Sequence, residues 1–243
     1  MKRLFALFLG CLTAFGCHAA QKVDEFTTKN GKKVTITCIK HASIQINYDG
    51  TEIQIDPVGN AIQPVTDYSQ MPKANLILVT HEHRDHFDAE AIATLRSNIT
   101  TVYTNKAVSN RLPKSLALSN GERVAYREDI TIEAVPAYNT TEGREKFHPK
   151  GRDNGYVLTL DGLRIYIAGD TEDIPEMADL KDIDIAFLPC NQPYTMTVDQ
   201  LAKAARTIKP KVLFPYHYSD TPISQTVLKL AGSGIDVRIR DYK

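Results

Sequence analysis

Seven histidines occur in the 243-residue chain, and three of them fall in the run Thr80-His81-Glu82-His83-Arg84-Asp85-His86-Phe87. A solvated turn needs one or two polar residues and gives no reason for three imidazoles and an acid at this spacing. Neutral imidazole and carboxylate are the donors that a borderline divalent ion such as zinc takes. His81 and His83 alternate and can share one ion, while Asp85 and His86 can turn towards a second, so the run allows two adjacent sites. Aiming such side chains at one point costs little ordering when the segment leaves a rigid element.

Such an element precedes the run. Leu76-Ile77-Leu78-Val79 is a short continuous apolar stretch, the pattern of a strand buried on both faces, and it ends at Thr80 where the histidines begin. Upstream, Val34-Thr35-Ile36, Ile44-Gln45-Ile46 and Ile53-Gln54-Ile55 alternate around the turn Asp49-Gly50, which predicts a β-meander. Downstream, Asp88 is placed to cap a helix through about 96, a strand follows over 101–104, and two short strands fit 124–135 before Pro136 stops the pattern. The polar stretch 139–154, punctuated by Gly143, Pro149 and Gly151, reads as a long loop of the kind that carries function. The second half repeats the scheme. A hairpin over 156–160 and 163–168 turns at Asp161-Gly162, then come Gly169-Asp170, a short helix from about 174, a strand over 183–188, a helix over 198–208, a strand over 212–216, a helix over 223–231 and a strand over 235–239. Meander followed by strand–helix units in both halves predicts an α/β architecture: two mixed β-sheets packed face to face with helices outside, a four-layer αββα sandwich.

Composition bounds the rest. With 42% hydrophobic and 24% charged residues, positions 21–243 make one compact domain. Lys plus Arg equals Asp plus Glu at 29 each, so no overall field attracts nucleic acid or an anionic membrane surface. Residues 1–20 differ: Lys2 and Arg3, an apolar run over 4–15, then small residues at Gly16, Ala19 and Ala20 follow the order of a secretory signal peptide. That run is shorter than the roughly 20 residues a spanning helix needs. Cleavage after Ala20 predicts an exported, periplasmic or secreted protein. Ala14-Phe15-Gly16-Cys17 offers a lipoprotein site instead, with membrane attachment only through a lipid on Cys17, and a buried N-terminal helix is the third reading. Cys38 and Cys190 read as buried thiols, with a disulfide between them as the alternative.

His-x-His-x-Asp-His after a buried strand resembles the signature of the metallo-β-lactamase superfamily, and the likeness extends along the chain. Gly169-Asp170-Thr171 follows one late strand and His217 follows another, as in that family. Lys40-His41-Ala42-Ser43 and Ile55-Asp56-Pro57 are similar to the subgroup that includes ascorbate-phosphate lactonase-like proteins and the phospholipase D acting on N-acyl phosphatidylethanolamines. The resemblance implies a metallo-β-lactamase-like fold and two divalent metal ions, zinc first, with manganese and iron as alternatives. It implies His81, His83 and a third imidazole on one ion, Asp85, His86 and His217 on the other, and Asp170 bridging. It also implies that Asp56 steadies the histidine loop, while His41 lines the pocket or supports it. Relatives place the third histidine just after a mid-chain strand, and here Val135-Pro136-Ala137-Tyr138 is followed by Asn139. His148, reached by folding the loop back, is the expected ligand, with Asn139 or a water molecule as alternatives.

Those parts imply a hydrolase in which a metal-bridging hydroxide attacks, with Asp85, His86 and Asp170 as the catalytic group. The expected substrate is a phosphodiester, lactone or related ester in a small anionic molecule or lipid head group. Around His148, Arg144, Lys146, Lys150 and Arg152 are placed to hold a phosphate or carboxylate, unless solvent alone holds them; Tyr194 is a further pocket candidate beside Asn139. Three other readings compete. An iron-dependent dioxygenase or oxidoreductase shares the scaffold, although its diiron branch usually carries Glu at the position of His83. A metal-binding protein without activity is opposed by the full ligand set, and a nuclease by the lack of net positive charge and of room for a clamp domain.

Overall fold

Alternation builds the first half-sheet. In the computed structural model, which describes residues 23–242, β1 (Val23–Thr27), β2 (Lys33–Lys40), β3 (Ser43–Tyr48) and β4 (Thr51–Ile55) pair antiparallel in sequence order. Val34, Ile36 and Cys38 point inward from β2 while their neighbours are half-exposed or exposed. The tight turn between β3 and β4 is Asp49-Gly50, both at positive φ, as two-residue hairpins require. β5 (Leu76–Val79), β6 (Thr101–Thr104) and β7 (Leu116–Ala117) then add in parallel. The apolar run of β5 serves two cores: Leu76 and Leu78 enter the space between the sheets, while Ile77 and Val79 pack outward beneath Ile92 and Leu95 of α1 (Ala89–Leu95). Asp88 caps α1, its carboxylate accepting from Glu90 N and Ala91 N. A short α2 (Lys106–Ser109) follows β6.

The second half runs the same programme. β8 (Arg123–Arg127), β9 (Ile130–Ala137), β10 (Asp153–Leu160) and β11 (Leu163–Ile167) are antiparallel, and β12 (Ile185–Pro189), β13 (Val212–Tyr216) and β14 (Asp236–Val237) add in parallel. Each half is one seven-stranded sheet in strand order. The inner faces share one core, with Ile44, Ile46 and Ile53 of the first sheet joined to Ile132, Tyr156, Phe187 and Phe214 of the second. α3 (Val198–Ile208) starts with a Thr197–Gln200 capping box and buries Leu201, Ala204, Ala205 and Ile208; α4 (Gln225–Lys229) packs beside it. The architecture is the predicted four-layer αββα sandwich.

Several elements depart from expectation. Pro136 lies inside β9 instead of ending it: the pairing with β8 reaches only Glu133, so β9 is an edge at Pro136, where a missing donor does no harm. The helix expected near 174 is a single 3-10 turn, Pro175–Asp179, and the last strand is two residues long. β1, α2 and β7 were not expected from the sequence. The leader expected over 1–20, with its lipidation site at Cys17, lies outside the described residues. No helix among the described residues is long and apolar enough to cross a membrane. Cys38 and Cys190 are buried and are not joined in a disulfide.

Candidate metal centre

Most of the chemistry-bearing residues sit where strands stop. His41 follows β2, Asp56 follows β4, the run 80–86 follows β5, Asp170 follows β11 and His217 follows β13. Three of them take positive φ without being glycine: His41 at 49°, Asp56 at 41° and His217 at 49°. Such a conformation costs an ordinary residue about 1–3 kcal/mol, and it persists only where the surroundings dictate it. Gly169 is required beside Asp170: at φ 65° a Cβ would fall 2.7 Å from Asn154 O and 3.2 Å from Thr80 Cβ, so only glycine lets this turn pass against the histidine loop.

Two groups of donors result. His81, His83 and His148 form one; Asp85, His86 and His217 form the other, with His41 beside it. Within each group the donor atoms lie within 4.8 Å of one another. Asp170 stands between the groups. Its Oδ2 is 3.4 Å from His148 Nε2, 3.9 Å from His81 Nε2 and 3.3 Å from His217 Nε2, and its Oδ1 is 3.2 Å from His86 Nε2. Asp85 Oδ2 lies 3.4 Å from His217 Nε2, 3.8 Å from His86 Nε2 and 3.0 Å from His41 Nε2.

One buried carboxylate sets how two of the rings face. Asp56 is fully buried; Thr80 N donates to its Oδ1 at 2.7 Å, and its Oδ2 receives the Thr80 hydroxyl at 2.7 Å and His86 Nδ1 at 2.8 Å. With its hydrogen spent on Asp56, the Thr80 hydroxyl accepts from His81 Nδ1 at 3.0 Å. This network assigns the proton of both rings to Nδ1 and leaves the Nε2 lone pairs facing the centre. His148 is held the same way, its Nδ1 lying 2.9 Å from Asp153 Oδ2, and Asp153 is braced by Arg152. The Nε2 atoms of His81, His86 and His217 and Oδ1 of Asp170 are buried with no hydrogen-bond partner among the described residues. Unpaired buried groups cost about 1–3 kcal/mol each. Their convergence on Asp170, with the donor chemistry of imidazole and carboxylate, fits two divalent ions.

The electrostatics agree. Burial pushes His81 well below the ordinary imidazole range and lowers His83. Burial and then His217 lower His41 to about 4. At His86 and His217 burial also opposes charge, but Asp170, with Asp85, more than offsets it, holding His86 well above its usual value and His217 at about 9. Asp85 and Asp170 are held low by the same imidazoles in spite of burial. Without ions, protons on this cluster supply the positive charge that the carboxylates demand, and metal binding would release them.

The centre opens into a cavity of about 510 Å³, lined beyond the donors by His41, Ile62, Arg84, Phe147, Asn191 and Tyr194. Tyr194 therefore lies where it was expected; three other pocket candidates do not line this cavity. Asn139 does not line it, and its amide donates to Tyr194 O at 2.8 Å and Arg144 O at 3.3 Å; His148 stands with His81 and His83. Lys150 is drawn off by Glu176 Oε1 at 2.8 Å and the Tyr138 hydroxyl at 3.2 Å. Arg152 is bound by Asp153 and Glu82 and reaches His83 Nε2 only at 3.5 Å. Asp153, Thr80, Ile62, Arg84, Phe147 and Asn191 escaped the sequence reading. Thr80 and Arg84 lie in the histidine run itself and Phe147 is next to the one histidine of a long loop, so these three carried a local signal.

The profile of the beta-lactamase superfamily domain matches residues 35–217. The chain belongs to that superfamily. The matched span begins in β2 and ends on His217, so it contains every residue of the centre. A UPF0173 metal-dependent hydrolase from Ligilactobacillus salivarius is 35% identical over 201 residues, spanning 79% of this chain and 89% of that protein. A relative of the same description from Archaeoglobus fulgidus is 31% identical over 199 residues, spanning 77% and 84%. Among solved structures, one described as a metal-dependent hydrolase from Parabacteroides distasonis is 56% identical with a TM-score of 0.88, over 92% of this chain and 100% of that one. Igni18, a metallo hydrolase from Ignicoccus hospitalis, shares the fold at 24% identity and a TM-score of 0.71, over 86% and 95%. This superfamily member is a metal-dependent hydrolase, and its two seven-stranded sheets are those of the metallo-β-lactamase fold.

Proposed function

We propose that the protein hydrolyses a carboxylic ester or lactone in a small molecule, with His81, His83 and His148 holding one divalent ion, Asp85, His86 and His217 a second, and Asp170 shared between them. Zinc is the first choice of ion and manganese the second. The observation that carries this reading is the ring of buried, unpaired Nε2 and Oδ1 atoms around Asp170 at the base of an open cavity. When bound, two such ions lower the pKa of a water towards neutrality and polarise a substrate oxygen. The chain does the rest. Asp85 lines the cavity and is the carboxylate placed to orient the attacking water and to accept its proton. His41, hydrogen-bonded to Asp85 and packed on His217 with ring centroids 3.8 Å apart, holds both in place.

A carbonyl ester is favoured over a phosphodiester because none of the four cations expected to receive a phosphate lines the cavity. Arg144 binds Gln192, Lys150 binds Glu176, Arg152 binds Asp153 and Lys146 lies over the Phe147 ring at 5.2 Å, which leaves Arg84 as the sole lysine or arginine of the lining among the described residues. On the reading of residues 1–20 as a leader, the substrate is met outside the cytoplasm. The test is a screen of zinc- and manganese-loaded protein against carboxylic esters, lactones, thioesters and phosphodiesters. Turnover of esters or lactones that disappears in Asp170→Asn is expected. Turnover confined to phosphodiesters, or consumption of oxygen, would overturn the proposal.

A further inference from the structure

The cavity beside the metal donors has a polar base and an apolar wall. Three side chains that no metal requires make the wall: Ile62, Phe147 and Tyr194. Phe147 and Tyr194 meet edge to face, with centroids 5.0 Å apart and planes at 72°, an arrangement within the favourable range for aromatic pairs. They come from two loops, 138–152 and 190–197, and polar contacts lock those loops together. Asn139 donates to Tyr194 O, and the Arg144 guanidinium binds Gln192. The buried Glu172 accepts from Thr140 N at 2.8 Å, the Thr140 hydroxyl at 3.0 Å and Thr141 N at 2.7 Å.

Ile62 comes from a third loop, and that loop is anchored from beneath. The ammonium of Lys40, a residue 1% exposed, donates to Gly59 O at 2.7 Å, Ile62 O at 2.9 Å and Pro64 O at 2.6 Å. Taking a lysine charge out of water is expensive, and here it is matched by three carbonyls of one loop. From the other side Arg84 donates to Ala61 O. A surface loop with no role has no need of such anchoring. A wall fixed before the ligand arrives spares the ligand the ordering entropy of three side chains.

From this we infer that the substrate carries a neutral, ring-sized apolar group within a few bonds of the scissile carbonyl, seated against Phe147, Tyr194 and Ile62 while the carbonyl faces the metal donors. The inference rests on the hydrolase reading of the same site, and it separates this cavity from one built for a compact polyanion. The probes are acetate, succinate and phenylacetate, each presenting a carboxylate as a hydrolysis product would, titrated calorimetrically into the zinc-loaded full chain.

Phenylacetate should bind about tenfold tighter than acetate, the order expected from burying one ring against an aromatic wall. Phe147→Ala and Tyr194→Ala should each cut that ratio several-fold with zinc content unchanged, and Tyr194→Phe, which keeps the ring, should preserve it. Equal binding of acetate and phenylacetate, a ratio that survives both alanine substitutions, or succinate as the tightest ligand would overturn the inference. Failure of the underlying reading looks different: a wild-type protein that retains no zinc yet still prefers phenylacetate keeps the apolar wall and loses the hydrolase.

Discussion

Asp56 touches no substrate and no ion, yet its replacement by asparagine should weaken both metal sites. In Asp56→Asn the amide must put either its oxygen or its NH2 at the place of Oδ2. If the oxygen stays at Oδ1 to accept from Thr80 N, the NH2 faces both the Thr80 hydroxyl and His86 Nδ1. His86 can then meet it only as an acceptor, which moves the ring proton to Nε2, the atom aimed at the ion. The Thr80 hydroxyl, now receiving a hydrogen, is free to donate to His81 Nδ1, and that ring flips its proton as well. The opposite amide orientation sets the NH2 against Thr80 N–H in a fully buried position, at a cost of about 1–3 kcal/mol. Burial pushes the Asp56 carboxyl up, and the donations from His86 and Thr80 oppose that shift. Loss of an outer partner typically weakens a metal site by about 10–100-fold, or roughly 1.4–2.8 kcal/mol, and in the proposed assignment His86 and His81 hold different ions. The assay is competition for zinc against a chromophoric chelator, with metal per chain counted by mass spectrometry and the fold checked by circular dichroism. Thr80→Val provides the contrast, since it removes the relay to His81 but keeps the Asp56–His86 bond, and should weaken the ion of His81, His83 and His148 alone. If folded Asp56→Asn holds both ions within about twofold of the parent, the proton assignment is wrong.

Three further outcomes follow from the same geometry. Chelation should lower thermal stability: at free metal about a hundredfold above Kd, binding contributes about 2.7 kcal/mol, which for a domain of this size is about 5–10 °C in the melting midpoint. In the chelated protein His217, held at about 9 in the fold, contributes stability that is present below its unfolded value and lost as pH rises through about 9. Melts in EDTA should therefore fall across that window while metal-loaded melts stay level there; a level apo profile would count against the proton acting as a stand-in for the ion. His148→Ala should release one ion and retain the other, whereas Asn139→Ala should retain both, and equal metal content in the two variants would return Asn139 to the ligand set.

The histidine run, Asp170 and His217 were legible because each follows a strand with a continuous apolar run: 76–79, 165–168 and 212–216. A buried strand can be read from residue types alone, and whatever follows it lands on the rim. His148 could be named only by elimination, since the loop carrying it folds back on itself through contacts that residue types do not announce, its Nδ1 on Asp153 and its carbonyl accepting from Asn139 N at 2.9 Å. The basic residues near it misled for a related reason. Local charge shows how many cations a loop carries but not which acids the fold sets against them: Asp153 follows Arg152 directly, but Glu176 and Glu82 lie on other segments. Pro136 misled because a proline stops a strand only where both edges are paired, and pairing on the β8 side is a fact of the sheet, not of the residues around 136.

The strained positions explain why two similar half-sheets make one centre. Neither half supplies a complete ligand group for both ions: the first gives the run 81–86 and His41, the second gives His148, Asp170 and His217. The halves are tied at the rim by backbone bonds, His217 N to His41 O at 3.0 Å and Asn154 N to Thr80 O at 3.1 Å, and the first of these joins two residues that both sit at positive φ. His41 N in turn donates to Tyr242 O at 2.9 Å, with Tyr242 fully buried. Strain of about 1–3 kcal/mol per residue would relax if either end were free, so at His41 and His217 it survives because each holds the other from the opposite sheet. The ties also fix the distance between the groups on either side of Asp170, and a centre made of two rigid sheets has that spacing set by their packing, not by the flexible side chains that complete it.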